Sequence, residues 1–182
     1  MPFGYKPAIA RAYADWWPKM GINHELTISL GISPTRFSPE ERLMPILKNL
    51  VREGAKKLRG LPKRKVPSLK HDDPEALILA GFYEATKRSG EPFPHWHGGV
   101  ALRPGEEPLL RQLLWDCIGE DADDPLKPFE PSRTSRPLIT GPGMKPTFHL
   151  AQLRTPERYV RYSTKKTYTD DIVHWTTADL LA

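Results

Sequence analysis

The stretch FYEATKRSGEPFPHWHGGVAL, residues 82–102, holds two apolar segments separated by a loop rich in turn-forming residues. The first segment ends a longer apolar run, EALILAGFYEA (75–85), which predicts a buried strand. The second segment, HWHGGVAL (95–102), predicts another strand. Two strands joined by a loop centred near Ser89 and Gly90 are expected to pair as an antiparallel hairpin, and the other elements can be placed around it.

Strand and helix patterns alternate along the rest of the chain. HELTISL (24–30) alternates apolar and polar residues, and TFHLAQL (147–153) predicts a last strand. Helices are expected from Pro39 to about Leu58, over 103–119, and from Pro156 onward. This order predicts an α+β fold, with a central antiparallel sheet of about four or five strands and helices packed on one side.

Helix-start residues and apolar spacing support these helices. Ser38 and Thr155 are the predicted N-caps, and a proline follows each of them at the first helical position. The helix over 103–119 is expected to bury an apolar face made of Leu109, Leu110, Leu113, Leu114, Cys117 and Ile118.

A chain of 182 residues suits one domain, which we place at 24–182. Residues 1–23 are expected to form an N-terminal arm or cap, in which Trp16 and Trp17 either cover the core or provide a platform for stacked bases. Residues 119–146 are acidic and then proline-rich, which predicts a long surface loop insertion.

Basic residues outnumber acidic ones, 27 to 22, and the formal net charge is +5. One segment, GAKKLRGLPKRKVPSLK (54–70), is basic and contains no acid. It is either a solvated helix end running into a linker or a surface that contacts nucleic-acid phosphates. The candidate DNA contacts within it are Lys56, Lys57, Lys63, Arg64 and Lys65.

The single cysteine, Cys117, excludes an internal disulfide and is expected to be a buried, inert thiol. A reducing, cytoplasmic setting follows from this cysteine usage. No apolar run reaches the roughly 18 residues that span a membrane, and the first residues lack a signal-peptide core. We therefore expect a cytoplasmic protein without a membrane partner.

His95 and His97 stand two positions apart in a predicted strand, so their imidazoles point to the same face. The hairpin brings Glu84 across from them, and a buried carboxylate needs a partner. A divalent cation between these three residues satisfies all of them; the oxygen and nitrogen donors suit Mg²⁺ or Mn²⁺, with zinc also open. The alternative is two surface histidines beside a glutamate that forms a hairpin salt bridge.

RYVRYSTKK (158–166) carries two tyrosines and two lysines at helical spacing. Tyr159 and Tyr162 share a helix face, and Lys165 and Lys166 follow Tyr162 on the same side. A tyrosine beside a lysine is a candidate nucleophile because positive charge favours the phenolate. The alternative is an amphipathic helix with aromatic core residues and exposed lysines.

Taken together, these motifs resemble those of the HUH endonucleases, especially rolling-circle replication initiators. His95-Trp96-His97 looks like the His-hydrophobic-His motif, Tyr162-Ser163-Thr164-Lys165 looks like the Tyr-x-x-Lys motif, and ELTISL resembles the first motif, a strand with a threonine, here Thr27. The resemblance covers about residues 24 to 172 and implies an HUH/RRM-like palm fold.

The resemblance also implies a reaction, the nicking and joining of single-stranded DNA at an origin or hairpin. Glu84 and the two histidines would hold the divalent ion. Tyr162 would attack the scissile phosphorus and form a 5′-phosphotyrosine intermediate, and Lys165 would stabilise the charge or activate the tyrosine. Thr27 is expected to contact DNA. The sequence lacks a Gly-x-x-x-x-Gly-Lys-Ser/Thr phosphate loop, so a host helicase is an expected partner.

Some residues depart from the family pattern. Two-tyrosine members usually space their tyrosines by four rather than three, so Tyr159 is either a second nucleophile or a packing residue. Lys166 can replace Lys165, and Glu91 is a rival of Glu84 that sits in the loop.

The alternative functions are an HUH-type transposase, a non-catalytic DNA-binding module of the same fold, and a zinc hydrolase that uses the two histidines. The module would bind DNA without cleaving it, and the hydrolase would bind zinc tightly without forming a covalent DNA adduct.

Overall fold

The computed structural model describes residues 7–30, 39–86, 92–118, 120–121, 147–163 and 174–182. The helices of this part of the chain are α1 (Pro7–Lys19), α2 (Pro39–Lys57), α3 (Glu107–Ile118), α4 (Pro156–Ser163) and α5 (Thr177–Leu181), with a 3₁₀ helix at Lys63–Ser68. Its strands are β1 (His24–Ser29), β2 (Leu79–Thr86), β3 (Pro92–Val100), β4 (Glu120–Asp121), β5 (Thr147–Gln152) and β6 (His174–Thr176).

The strands form one sheet in the order β4-β5-β1-β3-β2-β6. Every neighbouring pair is antiparallel except the two-residue β4, which runs parallel to β5 at one edge. The predicted α+β fold with a central antiparallel sheet is therefore confirmed. The predicted hairpin is also confirmed, because β2 pairs with β3 so that Glu84 lies opposite His95 and Phe82 lies opposite His97. Ser89 and Gly90 lie outside the described residues.

Helices cover both faces of the sheet, so the expectation of helices on one side is wrong. The main core joins α2, α3 and α5 to one face, through residues such as Leu26 and Trp96. A second core joins α1 to the other face around Trp17, Phe82 and Val160 of α4. The reason is that β2 carries buried apolar side chains in both directions, and a face of this kind must be covered.

The glycines of β2 and β3 make room for large indoles. A methyl group on Gly98 would stand 2.0 Å from the Trp96 ring, and one on Gly81 would stand 2.5 Å from it. Gly98 and Gly81 are paired across the hairpin, so the fully buried Trp96 ring lies over a flat platform of backbone. On the opposite face, Gly99 has the same function, because its added methyl group would meet Ile22 and Trp17 at 2.4 and 3.0 Å.

The predicted helix boundaries differ from the observed ones mainly at the start of α3. α2 and α4 begin at Pro39 and Pro156 as expected, whereas α3 begins at Glu107, after a turn in which Gly105 has a φ of +85°. Leu109 is 52% exposed, so its assignment to the buried face of α3 is wrong. The predicted N-cap Ser38 and nearly all of 119–146 lie outside the described residues.

Within the described part of the chain, the helices are too short or too polar to cross a membrane.

Candidate metal centre

Glu84, His95 and His97 converge on the sheet face that carries the second core. The three side chains are nearly inaccessible, with exposed fractions of 5–7%. Nε2 of His95 lies 2.9 Å from Oε2 of Glu84, and Nε2 of His97 lies 3.8 Å from the same oxygen. The two imidazole rings are nearly perpendicular, at 88°, with centroids 4.5 Å apart. The hairpin register thus brings the three predicted ligands together.

This cluster has the composition and spacing of a metal site. One ligand atom from each residue lies within 4.8 Å of the other two. Donors bound to one octahedral ion at about 2.1 Å stand roughly 3 Å apart when they are adjacent. The His95–Glu84 contact of 2.9 Å matches that value, and the His97–Glu84 contact of 3.8 Å is longer. The second carboxylate oxygen, Oε1 of Glu84, is buried and has no hydrogen-bond partner among the described residues. Because a buried carboxylate without full compensation is costly, this arrangement fits a bound cation. The cluster can therefore hold a metal ion.

A second layer of contacts orients His97. Strand β1 lies next to β3, and Thr27 is directly opposite His97. The Thr27 hydroxyl oxygen lies 3.1 Å from Nδ1 of His97 and 3.2 Å from the hydroxyl of Tyr159 in α4. With Nδ1 engaged in this way, Nε2 faces Glu84, which is the orientation that a ligating histidine requires. Thr27, which was predicted to contact DNA, thus makes two close side-chain contacts within the site, with His97 and with Tyr159.

A row of aromatic side chains, Tyr159, Trp17 and Phe82, packs beside the candidate metal centre. The Tyr159 ring lies 6.3 Å from the His97 ring and 5.9 Å from Trp17 of α1, measured between centroids. Trp17 in turn stacks on Phe82 at 6.4 Å, with an interplanar angle of 23°. Trp17 is therefore a fully buried core residue.

Several predicted site residues lie outside the described residues, either entirely or in their side chains. Tyr162 lies in α4, three residues after Tyr159, but its side chain is outside the described residues. Lys165, Lys166 and Glu91 are also outside them.

The basic stretch lies away from the triad. Its 3₁₀ helix packs on α2, and Val66 contacts the main core, which is on the opposite face of the sheet from the histidines. Lys63, Arg64 and Lys65 are exposed there. Lys56 and Lys57 pair with acidic residues, Glu53 and Asp116 respectively.

Arg59, from the same basic stretch, is a structural residue. Its side chain is 6% exposed and forms an ion pair with the equally buried Glu106. Its guanidinium also donates hydrogen bonds to the carbonyl oxygens of Ala76 and Ala101, at the open end of the hairpin. The side chain therefore ties α2 to the chain on either side of β2 and β3.

A group of polar residues on the triad's face of the sheet was not predicted from the sequence. His149 of β5 lies 3.2 Å from Glu25 of β1, and Arg154 and Arg158 follow at the start of α4. The alternation of side chains along β5 could have placed His149 from the sequence. Phe148 and Leu150 point to the main core, so His149 between them must point the other way.

Comparisons with protein-family models, curated proteins and solved structures find no match for this chain. A function for this chain is therefore inferred from the motifs of its sequence and from the geometry of the site.

Proposed function

We propose that this protein is a metal-dependent endonuclease of the HUH type, which nicks and rejoins single-stranded DNA. The observation that carries the proposal is the convergence of Glu84, His95 and His97 on the sheet face next to α4, the helix that contains Tyr162. A metal-ligand triad beside a tyrosine-bearing helix is the arrangement that a tyrosine nucleophile needs. The order of the sequence motifs supports the same reaction.

Glu84, His95 and His97 would hold Mg²⁺ or Mn²⁺, because a carboxylate oxygen and two imidazole nitrogens suit these ions when waters complete the shell. A bound divalent ion supplies Lewis-acid polarisation of the phosphate, which contributes several kcal/mol to such reactions. Thr27 would hold the His97 ring in the ligating orientation through its contact with Nδ1.

Tyr162 would be the nucleophile. Its phenolic oxygen would form a bond to the scissile phosphorus as the bond from phosphorus to the 3′ oxygen breaks. The phenolic proton would pass to solvent, and the leaving 3′ oxygen would take up a proton from solvent. The products would be a 5′-phosphotyrosine and a strand with a free 3′ hydroxyl. Attack by a 3′ hydroxyl on the phosphotyrosine reverses the reaction, so the enzyme can also join strands. Lys165 or Lys166 would stabilise the negative charge of the transition state.

Tyr159 would act as a positioning residue and not as a second nucleophile. Its hydroxyl lies 3.2 Å from that of Thr27, and its ring packs against Trp17, so the side chain is built into the second core. These contacts favour the interpretation of Tyr159 as a packing residue.

The biological setting consistent with this chemistry is the start of rolling-circle replication of a plasmid or phage, with a host helicase as partner. A transposase of the same type is the alternative. Both would act on single-stranded DNA at an origin or hairpin.

A covalent-adduct assay tests the proposal. The full chain is incubated with a labelled pool of single-stranded DNA and Mn²⁺, and the products are separated on a denaturing gel. We expect a shifted protein–DNA band that disappears in Tyr162→Phe, in His97→Ala and after chelation, and that persists in Tyr159→Phe. DNA binding without any band would instead support the non-catalytic module, and tight zinc binding without DNA binding would support a hydrolase.

A further inference from the structure

A groove of about 490 Å³ lies on the triad's face of the sheet, between the ends of β1 and β5 and the start of α4. Its polar lining comes from Glu25 of β1, Gln152 of β5, and Arg154, Arg158 and Tyr159 in and before α4. No residue of this groove belongs to the triad. It is therefore a separate feature of the surface.

The groove adjoins the metal centre through two shared elements. Tyr159 lines the groove and also contacts Thr27, which in turn contacts His97. Along β1, Glu25 and Thr27 are consecutive positions on one face of the strand, a step of about 7 Å. The groove therefore begins about one side-chain step along β1 from Thr27, the residue that contacts His97.

The charge of the groove suits an anion. Arg154 and Arg158 are exposed and form no ion pair with any residue that the structure describes. The one acidic residue in the lining, Glu25, lies 3.2 Å from Nε2 of His149, within hydrogen-bond distance. Arg154, just before α4, and Arg158, in its first turn, both line the groove and offer planar donor forks that match phosphate oxygens.

We propose that this groove binds the sugar–phosphate backbone of single-stranded DNA next to the scissile phosphate, with Arg154 and Arg158 as the phosphate contacts. The inference rests on the proposed function, since it takes the strand at the triad to be DNA. It moves the main DNA-binding surface from the basic stretch at 54–70 to the face that carries the triad.

The test is the salt dependence of binding to a fluorescein-labelled oligothymidylate, measured by anisotropy in EDTA so that no cleavage occurs. The full-length double variant Arg154→Ala/Arg158→Ala is compared with wild type. The matched control is Lys48→Ala/Arg52→Ala, which removes the same charge from α2 on the opposite face of the sheet. A second variant, Arg154→Lys/Arg158→Lys, keeps the charge but loses the planar fork.

We expect the groove variant to bind about tenfold more weakly and to show a smaller slope of log K against log salt, by about 0.7 for each lost contact. The control should bind within about twofold of wild type, and the lysine variant should keep the wild-type slope. Unchanged affinity and slope in the groove variant, or an equal loss in the control, would overturn the inference.

The adduct assay on wild-type protein separates this inference from the proposed function. If wild type forms no adduct but the groove variant still loses oligonucleotide binding, the nicking function fails and the groove stands. If wild type forms the adduct while the groove variant binds normally, the function stands and the groove assignment fails.

Discussion

The hydroxyl oxygen of Thr27 lies 3.1 Å from Nδ1 of His97, and the two residues are directly opposite each other on neighbouring strands. A ligating histidine that uses Nε2 carries its proton on Nδ1 and donates it to an acceptor. In that tautomer the Thr27 hydroxyl would be the acceptor, so β1 would orient a candidate ligand on β3. The contact links the sheet architecture to the chemistry of the candidate metal centre.

Replacing Thr27 with valine should weaken Mn²⁺ binding by about 10- to 100-fold, because the isosteric side chain removes the acceptor of the His97 proton. Isothermal titration of the purified protein measures the change. Thr27→Ser keeps the hydroxyl and should stay close to wild type. Equal affinities for the valine and serine variants would show that the hydroxyl does not position His97.

Mn²⁺ should raise the unfolding temperature of the wild-type protein, since a ligand that binds only the folded state stabilises it. At a free concentration of 100 times Kd the gain is about 2.7 kcal/mol, or roughly 5–10 °C for a chain of this size. Glu84→Gln should abolish the shift by removing the anionic ligand, as should EDTA.

The matched control for Glu84 is Glu25→Gln, which alters a carboxylate that also faces a histidine but lies outside the triad. This variant should keep the Mn²⁺-dependent rise. A rise that survives in Glu84→Gln, or disappears in both variants, would argue against the metal centre.

Tyr159→Phe should retain most of the stability of the protein, because the ring still packs on Trp17 while the hydroxyl contact with Thr27 is lost. We expect a loss of about 0.5–1.5 kcal/mol in urea unfolding. Adduct formation should persist at a reduced rate, whereas it should vanish in Tyr162→Phe. The reverse pattern, with the band lost only in Tyr159→Phe, would assign the nucleophile to Tyr159.

Burial raises the pKa of the Cys117 thiol from its ordinary value of 9.0 to about 11. The unfolded chain therefore releases this proton at lower pH than the folded protein does. The thiol's contribution to stability is complete below pH 9 and is lost as the pH rises from 9 to 11.

Urea unfolding of wild type and Cys117→Ala at pH 8 and pH 10.5 isolates this contribution from that of other titrating groups. The stability advantage of wild type over the variant should be smaller at pH 10.5. A difference between the two proteins that does not change with pH would contradict the raised pKa.

Gly98→Ala should destabilise the protein by about 1–3 kcal/mol, because the new methyl group would overlap the Trp96 ring and force the core to shift. Urea unfolding measures the loss. In the double variant with Trp96→Phe, the smaller ring leaves space for the methyl group. The double variant should therefore lose less unfolding free energy than the sum of the losses in the two single variants, by at least about 0.5 kcal/mol. Strict additivity would mean that Trp96 does not lie over Gly98.

The local features of this protein could be predicted from its sequence. The short loop between two apolar segments restricted the hairpin to a narrow set of registers, so Glu84 was correctly placed across from His95. The prolines at 39 and 156 marked two helix starts, because proline is well tolerated at the first helical position. These signals act between residues that are near in the sequence, and a single sequence contains them in full.

Contacts between distant segments were not accessible in this way. Thr27 is 70 residues from His97 and 132 from Tyr159, and nothing in β1 specifies which strand becomes its neighbour. The placement of helices on both faces likewise depends on how all the apolar surfaces are buried together. The pattern of residues thus determined the candidate metal ligands of the hairpin, whereas the packing of β1, α1 and α4 created their surroundings, because such packing is a property of the whole chain.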